Sequence, residues 1–265
     1  MKYIYLYCRA NENSIDTKDN LNKLLNKNGF VVENECSKNT ELIISIGGDG
    51  TFLKAAKEGN YSIPVLGVNT GHLGFYADFN PNNLEEIITA CSSNDFVVQN
   101  YRTLMAKIKT QKEEIIIGPA INDMFVKHGK HNIVHLNLYI ENDFIENFSG
   151  DGLLVSSSAG STAYNYSLGG GIVDPKIDLL QITPVAPVNN VIYRNFTSSL
   201  IIPPDKVINI IPKDTDDVII VADGKENILN DVDKISIELS DKEIKVIRKS
   251  DYNFWSKVKS KFISY

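Results

Sequence analysis

Short apolar runs alternate with amphipathic stretches through about the first hundred residues. Tyr3–Tyr7, Leu42–Ile46 and Val65–Val68 are rich in β-branched or aromatic residues, and the last is framed by Pro64 and the turn that begins at Gly67. Between the first two, Asp16–Asn28 places Leu21, Leu24 and Leu25 on one helical face, with Gly29 just past its end. Phe52–Lys57 reads as the opening of a second helix, and Leu84–Cys91, preceded by Pro81, as a third. Strands and helices in this alternation predict a parallel sheet with helices on its faces.

From about Val97 the pattern changes. Arg102–Lys109, Glu114–Ile117, Ile121–Val126 and Ile133–Ile140 follow one another with only turns between. In the last, Val134, Leu136, Leu138 and Ile140 alternate with His135, Asn137 and Tyr139, as in a half-buried strand. Further strands are expected at Leu153–Ser156, Ser199–Ile202, Lys206–Ile211, Val218–Val221, Lys234–Leu239 and Glu243–Ile247. The expected fold is therefore α/β plus β. Residues 1–98 form a Rossmann-like parallel-sheet domain and residues 99–248 a β-rich sandwich, while residues 249–265 dock back onto the first domain. In that last segment Lys257, Lys259 and Lys261, set around Trp255, Val258 and Phe262, are expected to form the solvated basic edge of a short helix.

Composition narrows the partners. An apolar fraction of 43% is that of a soluble globular chain. A net charge of −6 argues against general affinity for a nucleic-acid backbone. No apolar run approaches the roughly 20 residues a membrane helix needs, and the N-terminus is too short and too polar for a signal peptide. Cys8, Cys36 and Cys91 are scattered without CxxC spacing, which fits the reducing cytoplasm and argues against zinc.

Candidate chemistry begins at Gly47-Gly48-Asp49-Gly50-Thr51, directly after the run Leu42–Ile46. A strand that enters a glycine turn and then a helix lets backbone amides approach and cradle phosphate oxygens. The turn is neither a GxxxxGK[ST] loop nor a GxGxxG fingerprint. Its mark is Asp49, a carboxylate that would repel phosphate unless it organises Mg²⁺ or accepts a proton from an attacking hydroxyl. The bland alternative is that Asp49 only caps the helix at Thr51. A second glycine turn, Gly67 to Phe75, follows the next strand and should face the first across the sheet end. Within it His72 is a proton shuttle or merely satisfies backbone groups. A third cluster, Gly150-Asp151-Gly152 and the serine-rich stretch from Ser156 to Ser167, offers hydroxyls and the rings of Tyr164 and Tyr166 to a polar ligand. Asn122-Asp123 within an apolar run and Asp223-Gly224 at a strand end are each unremarkable alone.

Together these elements resemble the bacterial NAD kinases in order and spacing from about residue 40 to residue 225: Gly47–Thr51, the Thr70–Phe75 run, Asn122-Asp123, Gly150–Leu153, Gly160–Tyr164 and Asp223-Gly224. The resemblance implies transfer of the γ-phosphate of ATP to the 2′-hydroxyl of the adenosine ribose of NAD, with Mg²⁺ held through the ATP phosphates. It makes Asp49 the proton acceptor, with Gly47, Gly48, Gly50 and Thr51 at the phosphates. It assigns NAD binding to Asp49, Gly50, Asn122, Asp123, Asp151, Thr162, Ala163, Tyr164, Asn165, Tyr166, Ser167, Ala186 and Asp223, with Phe75, Ser149, Ser158, Lys225 and His72 as secondary candidates. It further implies a homotetramer or dimer with sites near subunit interfaces. Departures from the family pattern fall at Asp123, where glutamate is commoner, at Ser149, where many relatives carry arginine, at Ser157–Ala159, and at Lys225, which could supply some of the missing positive charge. Two other readings share parts of the pattern: a lipid kinase of the diacylglycerol type, and a non-catalytic module that senses NAD.

Overall fold

The structure, a computed structural model, describes residues 2–71, 74–93, 95–130, 132–191, 194–213 and 217–263. The chain divides into two compact units. Residues 1–101 and 243–265 make the first, and residues 102–242 the second. The chain thus returns to its first unit six residues earlier than the expected boundary at 248.

In the first unit, β1 (Tyr3–Cys8), β2 (Val31–Glu33), β3 (Leu42–Ile46), β4 (Val65–Val68) and β5 (Ala77–Phe79) form a parallel sheet. Its order is β4-β3-β1-β2, with β5 pairing β4 on the side away from β3. Every residue of β3 is buried, because helices cover both faces of a parallel sheet. Helix α1 (Glu12–Lys27) starts four residues before the expected Asp16, since the Asn11 side chain accepts from Ser14 N at 3.2 Å and caps it there. Leu21 and Leu25 are fully buried one turn apart, and Gly29 at φ 85° ends the helix. Helix α2 (Asp49–Glu58) leaves the glycine turn and α3 (Leu84–Ser93) completes the layer. The strands β2 and β5, three residues each, carry too short a pattern to be read from sequence.

The second unit is a β-sandwich. Its strands are β6 (Val97–Thr110), β7 (Glu114–Ala120), β8 (Asp123–His128), β9 (Val134–Ile140), β10 (Asp143–Gly150) and β11 (Gly152–Ser157). After the short helix α4 (Tyr164–Ser167) follow β12 (Leu180–Val185), β13 (Leu200–Ile202), β14 (Ile208–Lys213), β15 (Asp217–Ala222), β16 (Lys225–Asn230) and β17 (Val232–Arg248). One layer is antiparallel in the order β13-β12-β11-β8-β15-β16, and the other runs β10-β9-β14-β17. Both layers feed one core, in which Met124, Val126, Leu136, Leu138, Ile220 and Ile237 are each fully buried. The two runs expected at Lys234–Leu239 and Glu243–Ile247 are a single strand, β17. From Glu243 onward β17 belongs to the first unit, within which Val246 and Ile247 pair in parallel with β4. β10, β12 and β16 escaped the sequence reading because polar residues interrupt their alternation. Helix α5 (Phe254–Phe262) closes the chain as part of the first unit.

Candidate active site

Gly48 occupies the N-cap of α2 with no side-chain cap, and Asp49 is the first helical residue. Among the three glycines only Gly47 is demanded by packing, since a Cβ there would lie 2.4 Å from Thr51 Oγ1. A Cβ on Gly48 or Gly50 would meet nothing within 4 Å. Free space beside exposed helix-end amides is what an incoming phosphate requires. Thr51 itself is buried and packs under the turn.

Asp49 does not cap its own helix. Its Oδ2 accepts from the Phe75 amide at 2.9 Å and its Oδ1 from the Tyr76 amide at 3.1 Å. The second glycine turn therefore does face the first, and the residue that lets it close in is Gly74, where a Cβ would stand 2.3 Å from Asp49 Oδ1. Each carboxylate oxygen keeps accepting capacity beyond its one amide. Tyr76 stacks on Phe52 of α2 at 4.7 Å between centroids, which sets the height of the amides above the helix start. The turn is tied to α1 through Thr70, whose Oγ1 lies 2.7 Å from Ser14 Oγ and whose carbonyl accepts from Asn13 Nδ2 at 2.8 Å. His72 lies outside the described residues.

In the second unit β8 sorts its side chains by face. Met124 and Val126 enter the core, so Asp123, Phe125 and Lys127 share the other face. Asp223 and Gly224, at φ 46° and 78°, form the two-residue turn joining β15 to β16. The Asp223 carboxylate turns back to accept from the amides of Ile121 at 2.6 Å and Asn122 at 2.8 Å. Burial raises the pKa of Asp223, against the pull of the backbone amides of Ile121, Asn122 and Asp123. Asp123 is itself buried, and its carboxyl is pushed up to about 7 by burial and then by Asp223. Gly160 packs directly on Asn122: a Cβ there would sit 2.0 Å from the Asn122 carbonyl oxygen. Asn122, Asp123, Asp223 and the start of the serine-rich stretch are thus one constellation.

That stretch behaves differently from its expected role as a row of ligand donors. Ser157 Oγ donates to the Ile121 carbonyl at 2.6 Å and accepts from Gly160 N at 3.1 Å. Ser158 Oγ bonds the Ile177 carbonyl and accepts from Leu179 N. Ser161 Oγ accepts from Val173 N at 3.1 Å, and the Asn165 amide oxygen accepts from Thr183 Oγ1 at 2.6 Å. Ser157, Ser158, Ser161 and Asn165 are buried, so these side chains build the loop instead of lining it. Tyr164 and Tyr166 stay exposed, with Asp151 and Ser167, while Thr162 and Ala163 are half-buried. A cavity of about 320 Å³ opens beside this edge, lined by Phe125, Lys127, His128, Lys130, Asp151 and Tyr164 among others. Its basic side chains were not singled out in the sequence, although their position at the end of β8 follows directly from Asp123. Ala186, at φ 45°, lies next to Asp151 through the Asp151 N to Val185 carbonyl bond of 2.9 Å. Ser149 is buried, with its hydroxyl 2.8 Å from His135 Nδ1 and its amide donating to Asn195 Oδ1 at 3.0 Å. Lys225 is exposed at the start of β16.

The sequence reading also missed Arg248 and Lys257. Lys257 was expected at a solvated edge, yet its side chain is only 9% exposed and its ammonium contacts Asp78. The signal lay in the helical spacing: Lys257 falls one turn after Phe254 and beside Val258, on the buried face of α5.

The chain is similar to known proteins over nearly its whole length. The ATP-NAD kinase N-terminal domain matches residues 5–96, and the ATP-NAD kinase C-terminal domain matches residues 121–249. An NAD kinase from Finegoldia magna is 32% identical over 269 residues, spanning 99% of this chain and 98% of that protein. NAD kinase 1 from Listeria monocytogenes is 36% identical over 229 residues, covering 84% and 86%. Two solved structures share the fold. An NAD kinase from Archaeoglobus fulgidus in complex with ATP has a TM-score of 0.79 at 23% identity, over 100% of both chains. A yeast NADH kinase complexed with NADH has a TM-score of 0.85 at 21% identity, over 100% of this chain and 88% of that one.

The raised Asp123 carboxyl has a consequence for stability. A group protonated more readily in the folded state stabilises it below the ordinary carboxylate range, and that contribution is lost as pH rises through about 7. Asp123→Asn keeps the shape without the charge. In urea denaturation from about pH 4 to about pH 7, the wild type is expected to lose stability relative to this variant. Parallel profiles for the two proteins would show that Asp123 titrates as an ordinary carboxylate.

Proposed function

This chain belongs to the NAD kinase family, a phosphotransferase that makes NADP from NAD and ATP, and on that premise we propose that Asp49 takes the proton from the 2′-hydroxyl of the adenosine ribose. The observation that carries the assignment is the carboxylate itself. It stands in the glycine turn at the start of α2 and is held by the Phe75 and Tyr76 amides instead of capping its own helix. A ribose hydroxyl is a poor nucleophile near neutral pH, and phosphoryl transfer depends on positioning and charge neutralisation. As the 2′-oxygen bonds to the γ-phosphorus, its proton passes to Asp49, the bond from that phosphorus to the β,γ-bridging oxygen breaks, and ADP leaves. Gly47, Gly48, Gly50 and Thr51 shape the turn that meets the phosphates. Gly47 N and Thr51 N are bonded to the Val68 and Gly48 carbonyls at 2.9 Å each, and Gly48 and Gly50 leave room for the incoming oxygens.

NAD binding is assigned to Asn122, Asp123, Asp151, the Thr162–Ser167 segment, Ala186 and Asp223. What supports this is the polar constellation on the open face of β8, with exposed tyrosine rings beside a cavity lined by lysines. Asn165 serves through the loop it braces. A divalent cation would enter on the ATP phosphates, as the family resemblance implies. The Asp49 carboxylate suits a cation carried on phosphate, and the backbone amides of the turn suit the phosphate oxygens themselves. When present it neutralises phosphate charge. The remaining work belongs to the chain's own groups. The three cysteines are free, which supports a cytoplasmic location. Exposed Ile201 and Ile228, on the two edge strands of the β13-to-β16 layer, support a homodimer or homotetramer. The lipid-kinase and NAD-sensing readings find no support among the similar proteins.

Purified protein given NAD, ATP and Mg²⁺ is expected to form NADP, followed with an NADP-specific dehydrogenase. Asp49→Asn should bind NAD by calorimetry much as the wild type does, while turnover falls on the order of 10²–10⁴-fold. Comparable turnover in that variant would remove the proton-acceptor assignment. Gly74→Ala offers a separate check, because its methyl would fall 2.3 Å from Asp49 Oδ1 and must push that carboxylate off the Phe75 and Tyr76 amides. We expect an unchanged circular-dichroism spectrum with turnover reduced on the order of 10²-fold. Full activity would mean that the carboxylate position does not limit the reaction.

A further inference from the structure

The segment that holds Asp49 is itself held from its other side by two buried cations. The carbonyl of Phe75 accepts from Arg248 Nη1 at 2.8 Å and from Lys257 Nζ at 3.2 Å. That carbonyl and the amide of Tyr76 belong to one planar peptide unit, so the group whose oxygen meets two positive charges is the group whose N–H donates to Asp49 Oδ1 at 3.1 Å. Cations on the oxygen end polarise the unit and strengthen what its hydrogen end donates.

Charge balance points the same way. Arg248 and Lys257 share one buried acid, Asp78, which Arg248 Nη1 reaches at 3.2 Å and which the Lys257 ammonium also contacts. Two cations and one carboxylate leave one excess positive charge in a place where uncompensated charge is costly. Arg248 is further anchored by Gln99 Oε1 at 3.0 Å and Tyr101 Oη at 2.7 Å, and its guanidinium lies 4.2 Å from the Tyr252 ring centroid. Burial, with Arg248 adding to it, works against the charge on Lys257, while Asp78 and Asp49 favour it. The rings of Phe254 and Phe262 in α5 sit 6.2 and 5.5 Å from Phe75, and Lys257 also donates to the Ala77 carbonyl at 2.7 Å.

We propose that Lys257 is a positioning residue for the phosphoryl-transfer step: from the C-terminal helix it fixes and polarises the Phe75–Tyr76 peptide, and through that peptide it orients Asp49. The proposal rests on Asp49 being the proton acceptor. It makes the last helix a working part of the reaction and not only a clasp on the sheet.

The test is steady-state kinetics on the full-length protein. Lys257→Met should remain folded and keep its KM for NAD within about twofold, while kcat falls on the order of 10²-fold. Lys257→Arg, which restores the charge, should recover most of the loss. In an Asp49→Asn background, Lys257→Met should cost nothing further, because the group it positions is gone. If Lys257→Met does not fold, Lys257→Gln decides in its place, keeping a donor without the charge and showing the same fall in kcat at unchanged KM. A folded variant with kcat within twofold of wild type, or an equal additional loss in the Asp49→Asn background, overturns the proposal while leaving Asp49 as acceptor. Retained turnover in Asp49→Asn alone overturns both.

Discussion

Two hydrogen bonds from the Phe75 and Tyr76 amides to one carboxylate set the terms for the first unit. A carboxylate at a helix start ordinarily folds back onto the free amides of that helix, which would close the turn to phosphate. Drawing Asp49 away keeps its carboxylate off the first amides of α2, of which Thr51 N donates to the Gly48 carbonyl at 2.9 Å. For the second turn to come close enough, residue 74 must lack a side chain, and residue 47 must do the same beneath Thr51. Parallel pairing of β4 with β5, and of β4 with the end of β17, brings the 74–79 segment and the C-terminal helix into the same unit as the glycine turn.

The second unit uses polarity in another way. Its serine-rich stretch is a structural lattice in which hydroxyls and the Asn165 and Gln181 amides satisfy one another and the backbone. That lets an irregular loop pack against β8, β11 and β12 without orphaned groups. The rigidity so gained presents Asp151, Tyr164 and Tyr166 at its rim. A similar economy operates at Asp223, whose carboxylate ties the β15–β16 turn to the Ile121–Asn122 backbone. One residue thereby fixes the Asn122-Asp123 pair at the start of β8.

Much of this was legible in the sequence. Full burial on both faces made β3 and β4 readable as unbroken apolar runs, and strict alternation did the same for β9. The glycine turn with its aspartate was visible because strand, turn and helix start are consecutive. What stayed hidden depended on partners distant along the chain. Nothing near Ser161 or Asn165 announces that Val173 and Thr183 will bond them, so a buried lattice looked like a binding surface. Lys257 looked solvated because its counter-charge, Asp78, is far earlier in the chain and lies in a strand of three residues. Helix α1 began early for a local reason, the Asn11 cap, that periodicity of apolar residues does not register.

One distance decides whether Asp49 is the proton acceptor. A crystal structure with NAD bound would show whether an Asp49 oxygen, still accepting from the Phe75 and Tyr76 amides, lies within hydrogen-bond reach of the ribose 2′-oxygen, about 2.6–3.2 Å. That geometry is the predicted result. A 2′-hydroxyl facing another side chain, with Asp49 well beyond that reach, would contradict it.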